Sequence, residues 1–321
     1  MLKELSIEII RRCPNNCVHC SSLSDERCSE ILEYERFVSV VKDAANLGAK
    51  VICLSGGEPF LHSRIVDMIE FVHSLGLDSY VYTSGIIFDV QKQRAPLDNN
   101  VLRAIVGKVT KLIFNIEAGA AHTYDMVMGT RGCFEKMKQS VTMANDLSIL
   151  TEAHFVPMKL NINEVEETVS LCKELNISKI SFLRLVLHGR AQQNEQRIAL
   201  SREEFLRLQA DLEALQKKSN LDIRIGVPLS TDVSCHKCEA ANGKLNIKYD
   251  GNVFPCEVFK NGRVQLRLRG LTPDCIHEHS LLDIYRNSKY LQLVRELSQE
   301  FSGGGHRETC IGQYLLNNDE G

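Results

Sequence analysis

Cys13, Cys17 and Cys20 stand in the run Cys13-Pro14-Asn15-Asn16-Cys17-Val18-His19-Cys20, a C-x3-C-x2-C spacing on a short loop. Three thiolates this close can hold three corners of a cubic four-iron cluster. One iron is then left without a protein ligand and open to a small molecule. The competing reading is a zinc loop with His19 as fourth ligand. Zinc sites more often pair cysteines as C-x2-C and draw the other two ligands from further along the chain. His19 also lies inside the loop, where closing on a metal shared with both neighbours is cramped. The spacing favours iron–sulfur.

A second cysteine set lies far downstream: Cys235, Cys238, Cys256, Cys275 and Cys310. Cys235-His236-Lys237-Cys238 is a C-x2-C knuckle. Tyr249-Asp250-Gly251-Asn252-Val253 reads as a hairpin turn that delivers Pro255-Cys256. A closed cubic cluster takes four thiolates, so five candidates leave one over. Cys235 and Cys310, first and last of the set, are the candidates for the spare thiol, and Cys256 reads as a firm ligand. A zinc knuckle is the alternative here too. Cys53, Cys133 and Cys172 fall on strand or helix patterns and read as small buried hydrophobes. Cys28 has no assignment.

The elements that must position these residues alternate. Strand patterns run over Leu5–Ile10, Val51–Leu54, Ser79–Thr83, Lys111–Ile116, Glu152–Val156 and Lys179–Leu185. Helical patterns lie between them at Tyr34–Leu47, Arg64–Leu75, Leu97–Val106, Phe134–Leu147 and Glu164–Leu175. A further helix, Arg202–Lys218, opens with a capping box from Ser201 to Glu204. Six βα repeats imply a parallel sheet with right-handed crossovers. Without a G-x-G-x-x-G fingerprint, they suggest a barrel or partial barrel whose chemistry sits at the C-terminal strand ends. The pattern changes after Leu221–Val227. The chain therefore divides into an α/β region, residues 1–228, and a small cysteine-rich α+β region, residues 229–321.

Composition narrows the class. The chain has 321 residues, 44% of them hydrophobic, enough for a sizeable core. A formal net charge of −3 gives no basic excess for nucleic acid or a membrane surface. No apolar run reaches the roughly 18 residues of a spanning helix. Met1 is followed almost at once by a strand pattern, so the chain reads as lacking a signal peptide and as cytoplasmic. Twelve cysteines in a chain of this length and setting favour metal ligation over a disulfide scaffold.

The cysteine loop resembles the signature of the radical S-adenosylmethionine (radical SAM) superfamily, with His19 where that family often places an aromatic residue. Ser55-Gly56-Gly57-Glu58-Pro59 matches its glycine-rich motif after the second strand. Phe114-Asn115-Ile116-Glu117-Ala118-Gly119, with His122-Thr123-Tyr124-Asp125 and Arg131-Gly132, resembles its fourth-strand segment. The likeness covers about the first 200 residues, and the downstream cysteines resemble the auxiliary iron–sulfur regions called SPASM and Twitch.

The resemblance implies a partial (β/α)6 TIM-type barrel followed by an iron–sulfur region. It implies a four-iron cluster on Cys13, Cys17 and Cys20 that binds S-adenosylmethionine, and one auxiliary four-iron cluster. The reduced cluster would cleave the cofactor to a 5′-deoxyadenosyl radical that abstracts a hydrogen atom from substrate. His19, Gly56, Gly57, Glu58, Thr83, Ser84, Asn115, Glu117 and Arg184 would cradle the cofactor. Glu58 would accept from its ammonium group, and Asn115 and Glu117 would share one face at the strand end. Glu117 stands where many relatives carry Asp. Arg184, followed by His188-Gly189-Arg190, would supply a cation for a carboxylate. His154 reads as a core histidine. A spare thiol, Cys235 or Cys310, could return a hydrogen atom to a substrate radical. The expected partners are a flavodoxin- or ferredoxin-type electron donor and a ribosomally made peptide substrate. A small-molecule substrate is the alternative, and a non-catalytic redox sensor a third reading.

Overall fold

The computed structural model describes residues 1–227, 229–230, 238–266, 268–303, 310–312 and 315. Its strands are β1 (Glu4–Ile10), β2 (Val51–Gly56), β3 (Asp78–Thr83), β4 (Ile86–Phe88), β5 (Arg94–Pro96), β6 (Lys111–Asn115), β7 (Thr151–Phe155), β8 (Lys179–Phe182), β9 (Asp222–Ile225), β10 (Lys244–Ile247) and β11 (Val253–Phe254). Nine of them form one sheet in the order β11-β10-β1-β2-β3-β6-β7-β8-β9. All neighbours in it are parallel except the β10–β11 hairpin. This is the partial barrel that six βα repeats predict, with two further parallel strands. β9 extends one edge, and β10, beyond residue 228, pairs with β1 on the other.

Each crossover helix forms for a visible reason. In Tyr34–Asn46 the buried residues Phe37, Val40, Val41 and Ala44 recur at helical spacing and press on the sheet. Asp98 caps Asn99–Ile105 by accepting from the Asn100 and Val101 amides. The capping box at Arg202–Lys218 is present as the sequence predicts. The short β4–β5 hairpin and the helix Ala121–Met128 have no counterpart in the sequence patterns. Among the described residues no helix is long and apolar enough to cross a membrane.

The strands alternate in chemistry. Along β1, Leu5, Ile7 and Ile9 are fully buried in the core, whereas Glu4, Ser6 and Glu8 line an internal cleft. Lys244 and Asn246 on β10, Ser55 on β2, Tyr82 on β3 and His154 on β7 face the same cleft. Parallel strands covered on both faces are normally apolar throughout. Here one face serves a cleft, so it carries polar side chains.

A buried ion network ties β1 to the C-terminal residues. Lys260 Nζ lies 2.6 Å from Glu8 Oε1 and 2.7 Å from Glu257 Oε2. Glu8 also accepts from Ser22 Oγ at 2.6 Å and from the Tyr249 amide at 3.4 Å. Burial alone would raise the Glu8 carboxyl above its ordinary range, but Lys260 outweighs that and holds it below. Removing the cation from such a pair leaves an uncompensated buried charge. Lys260→Met is expected to cost about 3–5 kcal/mol in denaturant unfolding. Glu8→Gln combined with Lys260→Met should recover most of that loss. A single variant as stable as wild type would contradict the assignment.

Candidate functional site

The cysteine loop follows β1 and has almost no regular structure of its own. Its backbone is met from outside. The Cys13 amide donates to Asp25 O at 3.0 Å, Asn16 to Met128 O at 3.1 Å and Val18 to Val127 O at 2.9 Å. Arg190, which the sequence offers only as a cation for a carboxylate, is the main clamp. Its Nε donates to Cys17 O at 2.8 Å, its Nη2 to Ser24 O at 2.6 Å and its amide to Cys20 O at 2.9 Å.

Two glycines make room for this clamping. A Cβ on Gly57 would stand 2.1 Å from Arg12 O. That close approach lets the Gly57 amide donate to Ile10 O at 2.6 Å, and the Glu58 amide to Arg12 O at 2.9 Å. Gly189 has a φ of +58°, and a Cβ there would meet Ser21 O at 2.4 Å. The sequence motif suggests a Gly56-Gly57 backbone that approaches a ligand. In the structure it approaches the chain's own cysteine loop, and both glycines also line the cleft.

Cys13, Cys17 and Cys20 open into one cleft of about 480 Å³ that runs along the inner face of the sheet from Glu4 and Lys244 to the C-terminal strand ends. Burial pushes the Cys13 and Cys17 thiols up, and the neighbouring sulfurs push the same way. Thiols so placed keep their protons until a metal takes them as thiolates. Three thiols that line one cleft can each take a separate iron of a cubic cluster, and they fit that group.

His19, Thr83, Ser84 and Asn115 line the same cleft, but Glu58, Glu117 and Arg184 do not. Glu58 is fully buried beneath it, and its carboxylate oxygens are occupied. Oε1 accepts from Thr83 Oγ1 at 2.7 Å and from the Phe60 amide at 3.3 Å. Oε2 accepts from the Ser84 amide at 2.9 Å and Ser84 Oγ at 2.7 Å. Glu58 therefore shapes the cleft by holding Thr83 and Ser84. Glu117 accepts from the Val156 amide at 2.9 Å and lies 3.4 Å from His19 Nε2, steadying that ring from behind. Asn115 and Glu117 thus do not share one wall. Arg184 Nη2 donates to Cys310 Sγ at 3.5 Å, so its cation serves the downstream cysteines.

Cys238, Cys256 and Cys310 come within electrostatic reach of one another, and Cys256 also lines the cleft. Cys275 Sγ donates to Asp250 O at 3.6 Å. Cys235 lies outside the described residues. Cys133 and Cys172 are buried among hydrophobes as expected. Cys53 is buried too, but it takes the Tyr82 hydroxyl at 3.9 Å. His154, a core histidine by its sequence pattern, lines the cleft 5.2 Å from the Tyr82 ring. Burial, with Arg224 and Lys111 nearby, holds its pKa at about 3, so it is neutral at physiological pH. The wall residues Tyr82, His154, Asn246 and Glu257 escape sequence reasoning. For Tyr82, His154 and Asn246 the one signal is polarity at alternate strand positions, and Glu257, past the end of β11, has none.

Glu58→Gln replaces one acceptor oxygen by an NH2 group facing amides that can only donate. The loss of charge-assisted bonds, roughly 1.5–3 kcal/mol, should displace Thr83 and Ser84 and weaken S-adenosylmethionine binding about ten- to hundredfold. Iron content should not change. Equilibrium dialysis against labelled cofactor checks this, and an unchanged dissociation constant would reduce Glu58 to a turn residue.

The chain is similar to several known proteins. A "PqqA peptide cyclase" of Rhizobium meliloti (strain 1021) is 25% identical over 90% of this chain and 74% of its own length. An "AdoMet-dependent heme synthase" of Methanosarcina barkeri is 23% identical over 95% of this chain and 89% of its own. Streptococcus suis SuiB, solved with S-adenosylmethionine bound, shares the fold with a TM-score of 0.73 at 16% identity, covering 92% of this chain and 68% of SuiB. The family model described as the radical SAM superfamily matches residues 7–172, just over half of the chain. The chain therefore belongs to the radical SAM superfamily, enzymes that use S-adenosylmethionine with a four-iron cluster.

Proposed function

We propose that this enzyme modifies a peptide substrate bound in the cleft between two iron–sulfur clusters. The observation that carries the reading is the continuity of that cleft. Cys13, Cys17 and Cys20 line it together with Cys256 of the downstream set. When bound, the first cluster and S-adenosylmethionine supply a 5′-deoxyadenosyl radical that takes a hydrogen atom from substrate. The chain's own residues bind and orient. Cys13, Cys17 and Cys20 hold the first cluster. His19, Gly56, Gly57, Thr83, Ser84 and Asn115 form the cofactor wall, with Glu58 and Glu117 fixing it from behind. Burial of this wall excludes water from a reactive species. In the auxiliary region, residues 229–321, Cys238, Cys256 and Cys310 hold a second cluster, and Cys235, which the sequence offers as a candidate for the spare thiol, becomes the fourth ligand. Arg184 donates to Cys310 and moderates the negative charge of that set. The electron comes from a flavodoxin- or ferredoxin-type protein in the cytoplasm.

Peptide chemistry is supported by relatives whose names refer to it, the PqqA peptide cyclases, and by SuiB, solved with precursor peptide SuiA. Both are distant in sequence. A small-molecule substrate is the second reading, supported by the heme synthase relative, which this chain matches over 89% of its length.

On this reading Cys238, Cys256 and Cys310 are ligands, and the spare thiol is Cys275 rather than Cys235 or Cys310. Protein made anaerobically should carry two four-iron clusters. Triple replacement of Cys13, Cys17 and Cys20 by Ala should remove about half the iron and all 5′-deoxyadenosine formation. Cys275→Ala should keep its full iron, whereas Cys238→Ala, Cys256→Ala and Cys310→Ala should each lose about half. Tightly bound zinc, or iron loss from Cys275→Ala, would refute this assignment. Reduced wild type incubated with short peptides encoded beside its gene, and separately with tetrapyrroles, decides between the substrate readings by the product masses.

A further inference from the structure

The C-terminal residues contribute one wall of the cleft through Asn246, Cys256, Glu257 and Val258. Two features of this wall offer acceptors to the cleft. Glu257 lines the cleft with its side chain 48% exposed, yet it is held from behind. Lys260, 1% exposed, sits 2.7 Å from its Oε2, and Asn246 Nδ2 donates to its Oε1. Lys260 cannot follow a departing Glu257, because Glu8 holds it from the other side at 2.6 Å. The Glu257 carboxylate is thus a fixed acceptor. Asn246, 1% exposed and also lining the cleft, gives its NH2 to Glu257, while its Oδ1 has no donor among the described residues. A buried carbonyl oxygen left unpaired is unfavourable, so a ligand that brings a donor gains by meeting it.

The charges of this wall point to one class of ligand. Lys244 is paired with Glu4, and Lys260 with Glu8 and Glu257, so neither is free to meet an anion at this wall. The open acceptors are the Glu257 carboxylate and Asn246 Oδ1, and acceptors favour a donor and disfavour an anion.

We propose that Glu257 and Asn246 form a substrate subsite for a hydrogen-donating nitrogen, a lysine-type ammonium or a glutamine-type carboxamide, and that Lys260 is the residue that positions it. This rests on the reading that substrate occupies the cleft. The subsite excludes aspartate- and glutamate-type side chains at that point of the substrate. It sets specificity and takes no part in cofactor cleavage.

The test uses cluster-loaded protein with S-adenosylmethionine under anaerobic equilibrium dialysis. The probes are the N-acetyl amides of lysine, glutamine, glutamate and leucine. Wild type should retain the lysine and glutamine probes at least about tenfold more tightly than the other two, the value of a charge-assisted hydrogen bond. Glu257→Gln, nearly the same shape, should lose the preference for lysine and keep glutamine binding. Asn246→Leu should weaken both. Iron content reports whether each variant is folded and loaded. The proposal fails if the glutamate probe binds wild type as well as the lysine probe, if no probe is retained, or if iron-replete variants bind like wild type. Failure of the underlying functional reading shows separately, as absence of 5′-deoxyadenosine from reduced wild type.

Discussion

An irregular loop that presents three thiols must have its backbone polar groups satisfied by other segments, and the rest of the site depends on that need. A buried amide or carbonyl without a partner is strongly unfavourable. Asn16 and Val18 therefore donate to the end of the Ala121–Met128 helix, and Arg190 gives its side-chain donors to Cys17 and Ser24 carbonyls. The Gly57 and Gly189 contacts arise from the same need, because those segments must come within backbone distance of the loop. Motif residues far apart in sequence are thus parts of one clamp, and the cofactor wall is what the clamp leaves facing the cleft.

The second constraint is the fixed relation between the two cysteine sets. Ser22, two residues past Cys20, donates to Glu8, Glu8 pairs with Lys260, and Lys260 pairs with Glu257 beside Cys256. A chain of short charged contacts in a low-dielectric interior is stiff. It holds the cleft walls at a set separation, which is what a reaction between closely placed atoms requires.

Much of the fold is legible in the residues, and the exceptions share a cause. Six strands and six helices announce themselves through local periodicity, and Cys13, Cys17 and Cys20 through spacing alone. β10 does not, because Lys244–Ile247 is short and half polar and its partner β1 lies far away in sequence. Glu58 is visible as a motif residue, but where its carboxylate points is decided by the Thr83 and Ser84 donors across the sheet. Arg184 falls in the sixth strand pattern, yet β8 ends at Phe182 and the Arg184 side chain reaches Cys310. Glu117 and Asn115 separate because β6 ends at Asn115, so strand alternation does not extend to Glu117. Local sequence sets which groups are present at the strand ends. Long-range partners set which of them face the cleft.

The β1–β10 pairing has a consequence for how the molecule comes to exist. Glu4 and Lys244 are bridged at 3.2 Å across 240 positions of sequence. During synthesis β1 emerges early, while the strand that covers its outer edge emerges only after every other parallel strand of the sheet. Until then the apolar Leu5, Ile7 and Ile9 belong to a strand with one open edge, the condition that invites pairing between chains. Loop closure over such a span also slows the final step. The alternating charges Glu4 and Glu8 on that strand act as guards in the interval, repelling a second copy of themselves. Maturation of this enzyme is therefore gated by its C-terminal third, and the cleft can take its final shape only when that part has been made.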